Sequence, residues 1–212
     1  MIDLYTYGTP NGRKVSIMLE EIGLPFTVHE VDINDDQQFR PDFLEISPNN
    51  KIPAIVDRET GISLMESGAI LLYLAEKTGK LIPSDDAERW RVMEWLMFQM
   101  GGLGPMLGQL HHFLHFNPGI SEYAEQRYHQ EALRMMGVMN RQLEKYDYLA
   151  GEYSIADIAA WPWVSRFEWQ DIDLNDFPNV KRWYLDLAGR PAVQRGYNIP
   201  TDMGGIPRPK AT

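Results

Sequence analysis

The chain has 212 residues, of which 44% are hydrophobic and 24% are charged, a composition typical of a folded globular protein. Its formal net charge of −10 argues against nucleic acid or an anionic membrane surface as the main partner. The sequence contains no cysteine, which excludes disulfides, cysteine zinc sites and a thiol nucleophile of the protein's own. We find no signal peptide and no apolar stretch long enough to cross a membrane, and we therefore expect a cytoplasmic protein.

Hydrophobic patterning over the first 80 residues predicts alternating strands and helices. Short β-prone runs predict strands at residues 2–7, 26–31, 53–57 and 63–65. Apolar residues at helical spacing predict helices that begin at Pro10, at Pro41 and near Ile70. The order β-α-β-α-β-β-α predicts a small mixed sheet covered by helices, and hence an α/β domain over residues 1–80.

The pattern after residue 80 changes to one of helices alone. Residues 81–86 include a proline, a serine and two aspartates, which favours a linker. Residues 87–200 predict an all-α domain, with a bend or interruption at 101–105, where a proline lacks a backbone donor. Ser154–Asp157 matches a capping box before an apolar run in which Pro162 predicts a kink. Residues 201–212 are rich in Gly and Pro and predict an irregular tail.

The pair Ile52–Pro53, followed by Glu66 and Ser67, predicts a site for a peptide-like ligand. Pro53 fixes its own φ angle and disfavours a helical conformation at Ile52, which we expect to be extended. A cis bond between them would turn the Ile52 N–H and C=O outward, where they could pair with a ligand backbone as an added strand does. Glu66 and Ser67 begin a helical pattern, so backbone N–H groups could bind a carboxylate and Glu66 an ammonium group. Glutathione is one molecule that has all of these groups.

Four cations in the first quarter of the chain lie close to this motif in sequence. Arg13, Lys14, Arg40 and Lys51 could supply local positive charge for an anionic ligand, although solvated helix faces would explain any one of them equally well. Because the protein has no cysteine, any thiol for sulfur chemistry would have to arrive with the ligand.

The order and spacing of these motifs resemble the cytosolic glutathione transferase superfamily over essentially the whole chain except the tail. Within it, the chain is similar to the bacterial Nu class. The stretches that carry this similarity are TPNG at 9–12, QFRP at 38–41, SPNNKIP at 47–53, GGLGPMLGQ at 101–109 and ADIAAWPW at 156–163. The resemblance implies a thioredoxin-like glutathione-binding domain followed by a helical domain, in a homodimer. It also implies glutathione-dependent disulfide-bond reduction, with glutathione as co-substrate, one or two molecules per site and no metal.

Matched by position, the resemblance implies a set of glutathione-binding residues. Ile52, followed by Pro53, would pair through its backbone with the cysteinyl part of glutathione. Glu66 and Ser67 would hold the γ-glutamyl head. The other positions are Gln38, Asn50 and Lys51 near the glycine end, Asn11 beside the sulfur, and Arg127, which would reach the site from the helical domain.

Thr9 and Asn11 are the expected catalytic residues, because the N-terminus of the helix that begins at Pro10 would lower the pKa of a thiol placed there. The Thr9 hydroxyl or the Asn11 amide could donate a hydrogen bond to the thiolate, or Asn11 could merely cap the helix. Tyr5 and Tyr7 do not fall where tyrosine-using classes place their hydroxyl. The thiolate could attack a small disulfide, through a mixed disulfide with glutathione, or a small carbon electrophile. A regulatory module that binds glutathione without catalysis is a third hypothesis.

Three histidines and one aromatic stretch allow further hypotheses. His111 and His115 lie four residues apart and could face one metal ion. No carboxylate follows at ligand spacing and aromatic residues lie between them, so we expect His111, His112 and His115 to line an aromatic pocket or a domain interface. The aromatic and Met side chains of residues 90–98 likewise favour core or dimer contacts over cofactor binding. For Arg127, an exposed helical arginine without a role in the site is the alternative.

Overall fold

The computed structural model describes residues 1–202 and 204–210, which divide into two units. The first unit comprises Met1–Ile82 and the described part of Gly189–Ile206, and the second comprises Pro83–Ala188 and the described residues from Pro207 on. Residues 189–200, which the sequence pattern places in the helical domain, therefore group with the first unit in the structure.

The first unit contains a four-stranded sheet with the spatial order β2-β1-β3-β4. The strands are β1 (Ile2–Thr6), β2 (Phe26–Glu30), β3 (Ala54–Asp57) and β4 (Ile62–Met65). β1 pairs in parallel with β2 and antiparallel with β3, and β4 lies antiparallel beside β3. The predicted α/β class with a mixed sheet is confirmed, because each strand falls within one residue of its predicted range.

Helices complete the predicted element order of this unit. They are α1 (Pro10–Ile22), α2 (Pro41–Ile46) and α3 (Ser67–Thr78), with 3₁₀ turns over residues 33–35 and 37–39. α1 ends at Gly23, whose φ of 72° lies in the left-handed region that glycine adopts without steric cost. Apolar faces of α1 and α3 are buried, among them Val15, Met18, Leu71 and Leu74.

The second unit is helical, as predicted. Its helices are α4 (Asp86–Phe98), α5 (Gly104–Leu110), α6 (Glu122–Leu143), α7 (Ile155–Val164) and α8 (Pro178–Gly189). The interruption expected at 101–105 takes the form of a π-helical segment over residues 99–103. Pro105 then lies in the first turn of α5, where its missing N–H removes no intrahelical hydrogen bond. A second π-helical segment covers residues 111–116, which include His111, His112 and His115.

The segment that departs from the predicted domains is α9 (Pro191–Tyr197), which packs on α1 within the first unit. A Cβ atom on Gly196 would lie 2.6 Å from the Cα atom of Ile17, so only glycine permits this approach. Ser16 Oγ donates a hydrogen bond to the carbonyl oxygen of Gly196 at 2.6 Å. Because these partners are separated by 180 residues, no local sequence pattern could reveal the contact.

Residues 201–202 and 204–210 contain neither helix nor strand, and Met203, Ala211 and Thr212, which the predicted tail also includes, lie outside the described residues. Among the helices of the described part of the chain, none combines the length and the apolar character that a membrane crossing requires.

Asp157 fixes the start of α7 in the second unit. Its carboxylate oxygens accept the backbone N–H groups of Leu149 at 2.9 Å and Ser154 at 3.0 Å, and the indole Nε1–H of Trp183 at 2.9 Å. Ser154 Oγ accepts the N–H of Ala156 at 3.3 Å, and the predicted capping box is confirmed. Burial raises the pKa of Asp157 to about 6, although these donors favour the ionised form.

Replacing Asp157 by Ala should lower the free energy of unfolding by roughly 3–5 kcal/mol, because several buried donors would lose their acceptor. Urea denaturation followed by circular dichroism measures this loss. Asp176→Ala, at an exposed acid of the same unit, is the matched control and should change the free energy by less than about 0.5 kcal/mol. Similar small losses in both variants would contradict the role assigned to Asp157.

Candidate active site

The register of the sheet brings the predicted glutathione-binding motifs to one end of the first unit. Ala54, the first residue of β3, lies opposite Tyr5 of β1 and opposite Met65, the last residue of β4. The segments that precede β3, follow β1 and follow β4 therefore leave the sheet at the same end, as does the segment after β2, which is parallel to β1. The predicted site residues on these segments are Thr9, Asn11, Gln38, Asn50, Lys51, Ile52, Pro53, Glu66 and Ser67.

Ile52 is held by its side chain while its backbone stays open. The Ile52–Pro53 peptide bond is cis. The Ile52 side chain packs against a cluster of Val31, Phe43 and Ala54. Within residues 1–202 and 204–210, neither the N–H nor the C=O of Ile52 has a hydrogen-bond partner. The two backbone groups expected to pair with a ligand are therefore fixed in position and available.

The turn before Ile52 is tied together by Ser47. The N–H of Asn50 donates to the Ser47 carbonyl at 2.8 Å, and Ser47 Oγ donates to the Lys51 carbonyl at 2.8 Å. Asn50 has a φ of 49°, a left-handed conformation that asparagine tolerates better than most residues. These bonds hold the predicted residues Asn50 and Lys51 directly beside Ile52.

Gln38 carries a buried acceptor atom. It lies in the 3₁₀ turn over residues 37–39, and its Oε1 atom is buried without a hydrogen-bond partner among the described residues. Native proteins rarely leave such an atom unsatisfied, because the desolvation cost is then uncompensated. The atom is therefore a candidate acceptor for a donor group of a ligand.

α3 begins with an exposed Glu66 and a nearly buried Ser67. Glu66 is the N-cap residue with a φ of 68°, and its backbone oxygen accepts the N–H of Ile70 at 3.0 Å. The Glu66 side chain makes no capping hydrogen bond to the helix. The N-terminus of α3 therefore places partial positive charge next to the Glu66 carboxylate. A ligand with neighbouring carboxylate and ammonium groups matches this pair.

Lys14 also lies at this site, although the sequence pattern indicated it only as one of four nearby cations. Its Nζ donates a hydrogen bond to Ser67 Oγ at 3.2 Å, and its side chain is completely buried. Burial lowers the pKa of Lys14 to about 7, an effect that the Glu66 carboxylate opposes. A signal was present in the sequence, because Lys14 lies four residues before Met18 and so on the apolar face of α1.

The first turn of α1 lies against the end of β1. A Cβ atom on Gly12 would lie 2.2 Å from the carbonyl oxygen of Tyr7, so a side chain there would force the backbone to shift. Thr9 is the N-cap residue, because its Oγ1 accepts the Gly12 N–H at 3.2 Å. The alternative that Asn11 caps this helix is therefore wrong, since Asn11 is the second helical residue. Thr9 accepts through its oxygen in this cap, and its hydroxyl proton can still be donated.

The remaining side chains near this end have other contacts. The Tyr7 hydroxyl accepts a hydrogen bond from Asn34 Nδ2 at 3.0 Å, and partial burial raises its pKa. Arg13 Nε donates to the carbonyl of Tyr197 at 3.0 Å, and its guanidinium carbon lies 3.6 Å from the centre of that ring. Arg40 and Lys51 are exposed. Lys14 is the cation of these four whose side chain donates to Ser67.

Models of two domains match most of the chain. The glutathione S-transferase N-terminal domain matches residues 9–77, and the glutathione S-transferase C-terminal domain matches residues 103–191. The chain belongs to the glutathione transferase family. The resemblance found in the sequence motifs is thereby confirmed.

Individual members of the glutathione transferase family align along nearly the full chain. The disulfide-bond oxidoreductase YfcG of Escherichia coli (strain K12) is 52% identical over 199 residues, covering 91% of this chain and 93% of that protein. A glutathione transferase structure from Burkholderia graminis, with two glutathione molecules bound per subunit, has 46% identity and a TM-score of 0.89, covering 94% and 88% of the two chains. One from Pseudomonas putida, with one glutathione disulfide per subunit, has 47% identity and a TM-score of 0.89, covering 94% and 91%.

Arg127 belongs to the second unit and is not among the residues that the sheet register brings together. It lies on α6 with an exposed side chain. The pKa of Glu131, one turn further along, is lowered mainly by its hydrogen bonds with Arg134 and to a smaller extent by Arg127. The role that the transferase family suggests for Arg127 stays a prediction.

The histidines of the second unit pack among aromatic rings. The His111 ring stacks on Trp163 with centroids 5.5 Å apart, and the His115 ring on Trp169 at 4.1 Å. Gln170 Nε2 lies 3.1 Å from His111 Nε2, and burial lowers the pKa of His111 to about 4. Over residues 1–202 and 204–210, no group of three or more His, Asp or Glu side chains could hold a metal ion. The histidines therefore contribute to an aromatic cluster within this unit.

Proposed function

We propose that this chain is a glutathione-dependent disulfide-bond reductase in which bound glutathione supplies the reactive thiol. The observation that carries the proposal is that Glu66, Ser67 and the open backbone of Ile52 share one end of the sheet in a chain without cysteine. Two transferases that are 46% and 47% identical support it, because one holds two glutathione molecules and the other one glutathione disulfide. These ligands are the reduced and oxidised forms of one redox couple.

Glutathione would bind in an extended form across the sheet end. The N–H and C=O of Ile52, next to Pro53, would pair with the backbone of the cysteinyl residue as an added strand does. The γ-glutamyl carboxylate would lie at the N-terminus of α3 beside Ser67, and the γ-glutamyl ammonium beside the Glu66 carboxylate. Both ends of the amino acid head would then meet a group of opposite charge.

The glycine end of glutathione would meet three further residues. Gln38 Oε1, which is buried without a partner among the described residues, would accept an N–H of the ligand. Asn50 and Lys51 lie beside Ile52 and would face the glycine carboxylate, which the exposed Lys51 ammonium attracts.

The sulfur would lie at the start of α1. The N-terminus of a helix favours the thiolate over the thiol and so lowers the pKa of a thiol bound there. Thr9 can donate its hydroxyl proton while its oxygen caps the helix, and the Asn11 amide can donate a second hydrogen bond. We assign thiolate stabilisation to Asn11 and Thr9, with Asn11 as the main donor because it is not needed as the N-cap.

Two thiol–disulfide exchanges would complete the reaction. The glutathione thiolate attacks one sulfur of the substrate disulfide, so that a new S–S bond to glutathione forms, the substrate S–S bond breaks, and the released thiolate takes up a proton. A second glutathione thiolate attacks the glutathione sulfur of this mixed disulfide and releases the second substrate thiol. Two glutathione molecules are oxidised to one glutathione disulfide, and the substrate gains two electrons and two protons.

We also propose a homodimer and a cytoplasmic location. α4 buries Val92 and Leu96, whereas Trp90 is 70% exposed and Met97, two turns later, is 54% exposed. Large apolar side chains exposed on one helix face are typical of an association surface. A reaction that consumes reduced glutathione fits the cytosol, where the glutathione pool is kept reduced.

The purified chain should catalyse reduction of a small mixed disulfide of glutathione, because its site would hold the attacking thiolate. Consumption of the nicotinamide cofactor by coupled glutathione reductase measures this rate, and conjugation of an aromatic halide is assayed in parallel. Turnover of the halide alone would favour a conjugating transferase and overturn the preferred reaction. Calorimetric binding of glutathione without either activity would favour a regulatory module, and no binding at all would remove all three functions.

Asn11→Ala should lower kcat for disulfide reduction by about 10- to 100-fold, because a hydrogen bond to a charged thiolate is lost. The Kd for glutathione and the thermal midpoint should change little, since Thr9 keeps the helix cap. Thr9→Ser, which retains both the cap and the hydroxyl, is the matched control and should keep most of the activity. Unchanged kcat in Asn11→Ala would contradict the role assigned to that amide.

Arg127→Ala should raise the Kd for glutathione by about tenfold, the effect of removing one charge-assisted hydrogen bond. Arg134→Ala is the matched control on the same helix, because Arg134 is held by Glu131 through bonds of 2.8 and 2.7 Å. Titration calorimetry of both variants measures the difference. Equal affinities in the wild type and both variants would leave Arg127 as an exposed helical arginine.

A further inference from the structure

Positive charge approaches Ser67 from two helices. Lys14 Nζ reaches Ser67 Oγ from α1 at 3.2 Å, and Ser67 is itself the first residue of α3. The N-terminus of a helix such as α3 carries the equivalent of roughly half a positive charge. Because Lys14 donates to the side chain of the first residue of α3, its ammonium group and the helix N-terminus are neighbouring positive charges, which an anion beside both of them would stabilise. The arrangement is therefore matched to a negatively charged ligand group.

Packing alone does not account for a lysine at this position. The side chain of Lys14 is completely buried, and burial disfavours its charged form enough to lower the pKa to about 7. An apolar side chain would extend the buried face that Val15 and Met18 already form, at a lower desolvation cost. The carboxylate of Glu66 favours the charged form of Lys14, but Glu66 is exposed and is the expected partner of the ligand ammonium.

We propose that Lys14 is a positioning residue that draws the α-carboxylate of the γ-glutamyl group to the start of α3, acting through Ser67. The inference rests on the glutathione site proposed above. It adds the Lys14 ammonium to that site, since Lys14 is not among the glutathione-binding residues that the family resemblance implies. Glu66 would select the ammonium and Lys14 with Ser67 the carboxylate of the same amino acid head. The site would therefore discriminate against thiols that lack this carboxylate, even where the rest of the molecule is unchanged.

A comparison of two ligands on two proteins tests this inference. The ligands are glutathione and 4-aminobutyryl-cysteinyl-glycine, which lacks only the α-carboxylate and keeps the ammonium. Lys14→Met, which keeps the length of the side chain and removes the charge, should raise the Kd for glutathione by about tenfold or more. The same variant should bind the analogue as the wild type does. Titration calorimetry measures all four values.

Two variants control for effects on folding. Lys14→Arg keeps a buried positive charge and should retain more of the affinity for glutathione than Lys14→Met does. Lys80→Met removes a lysine that donates to the Ile22 carbonyl outside the site, and it should leave both Kd values unchanged. Thermal denaturation should show that Lys14→Met is at least as stable as the wild type, since an apolar side chain replaces a buried charge.

The contradicting outcomes are distinct. If Lys14→Met lowers the thermal midpoint and raises the Kd of both ligands equally, Lys14 only stabilises the packing of α1 against α3. If the wild type binds glutathione and Lys14→Met binds it equally well, the inference fails while the proposed function stands. If the wild type binds glutathione and loses affinity on Lys14→Met but reduces no disulfide, the proposed reaction fails and the role of Lys14 holds.

Discussion

The close approach of α1 to the end of β1 is the constraint on which the site depends. A Cβ atom on Gly12 would lie 2.2 Å from the Tyr7 carbonyl oxygen. The helix can therefore begin this close to the end of the strand only because residue 12 has no side chain. This approach sets Thr9 and Asn11 at the sheet end where β3 begins and β4 ends. One turn later, Lys14 contacts the first residue of α3. α1 therefore connects the expected position of the sulfur with the expected position of the γ-glutamyl carboxylate.

Features with a local cause could be predicted from the sequence. Pro10 and Gly23 bound α1 because proline suits the first turn of a helix and glycine the left-handed residue after its end. The capping box at Ser154–Asp157 is a four-residue signal and formed as expected. Motif spacing and family resemblance also predict Ile52 and Glu66 at one site. The pairing of Ala54 with Met65 brings the two segments that carry them to the same end of the sheet.

Features that depend on contacts distant in sequence could not be predicted. α9 packs with the first unit through Gly196 and Ser16, whose separation of 180 residues leaves no trace in a hydrophobic pattern. The sequence places Lys14 on the apolar face of α1, but its contact with Ser67 could not be predicted, because Ser67 lies on another helix.

Glu66 has a strained backbone conformation at the start of α3. Its φ of 68° and ψ of 111° lie in a region that costs a residue with a side chain about 1–3 kcal/mol and that glycine adopts more readily. Glycine at this position would relieve that strain and would leave the backbone of α3 able to begin in the same way. The sequence nevertheless has glutamate here, at the edge of the sheet where a ligand ammonium is expected. With the proposed role of Glu66 in binding the ligand ammonium, Glu66→Gly would stabilise the fold and weaken ligand recognition, so this position would exchange stability for binding.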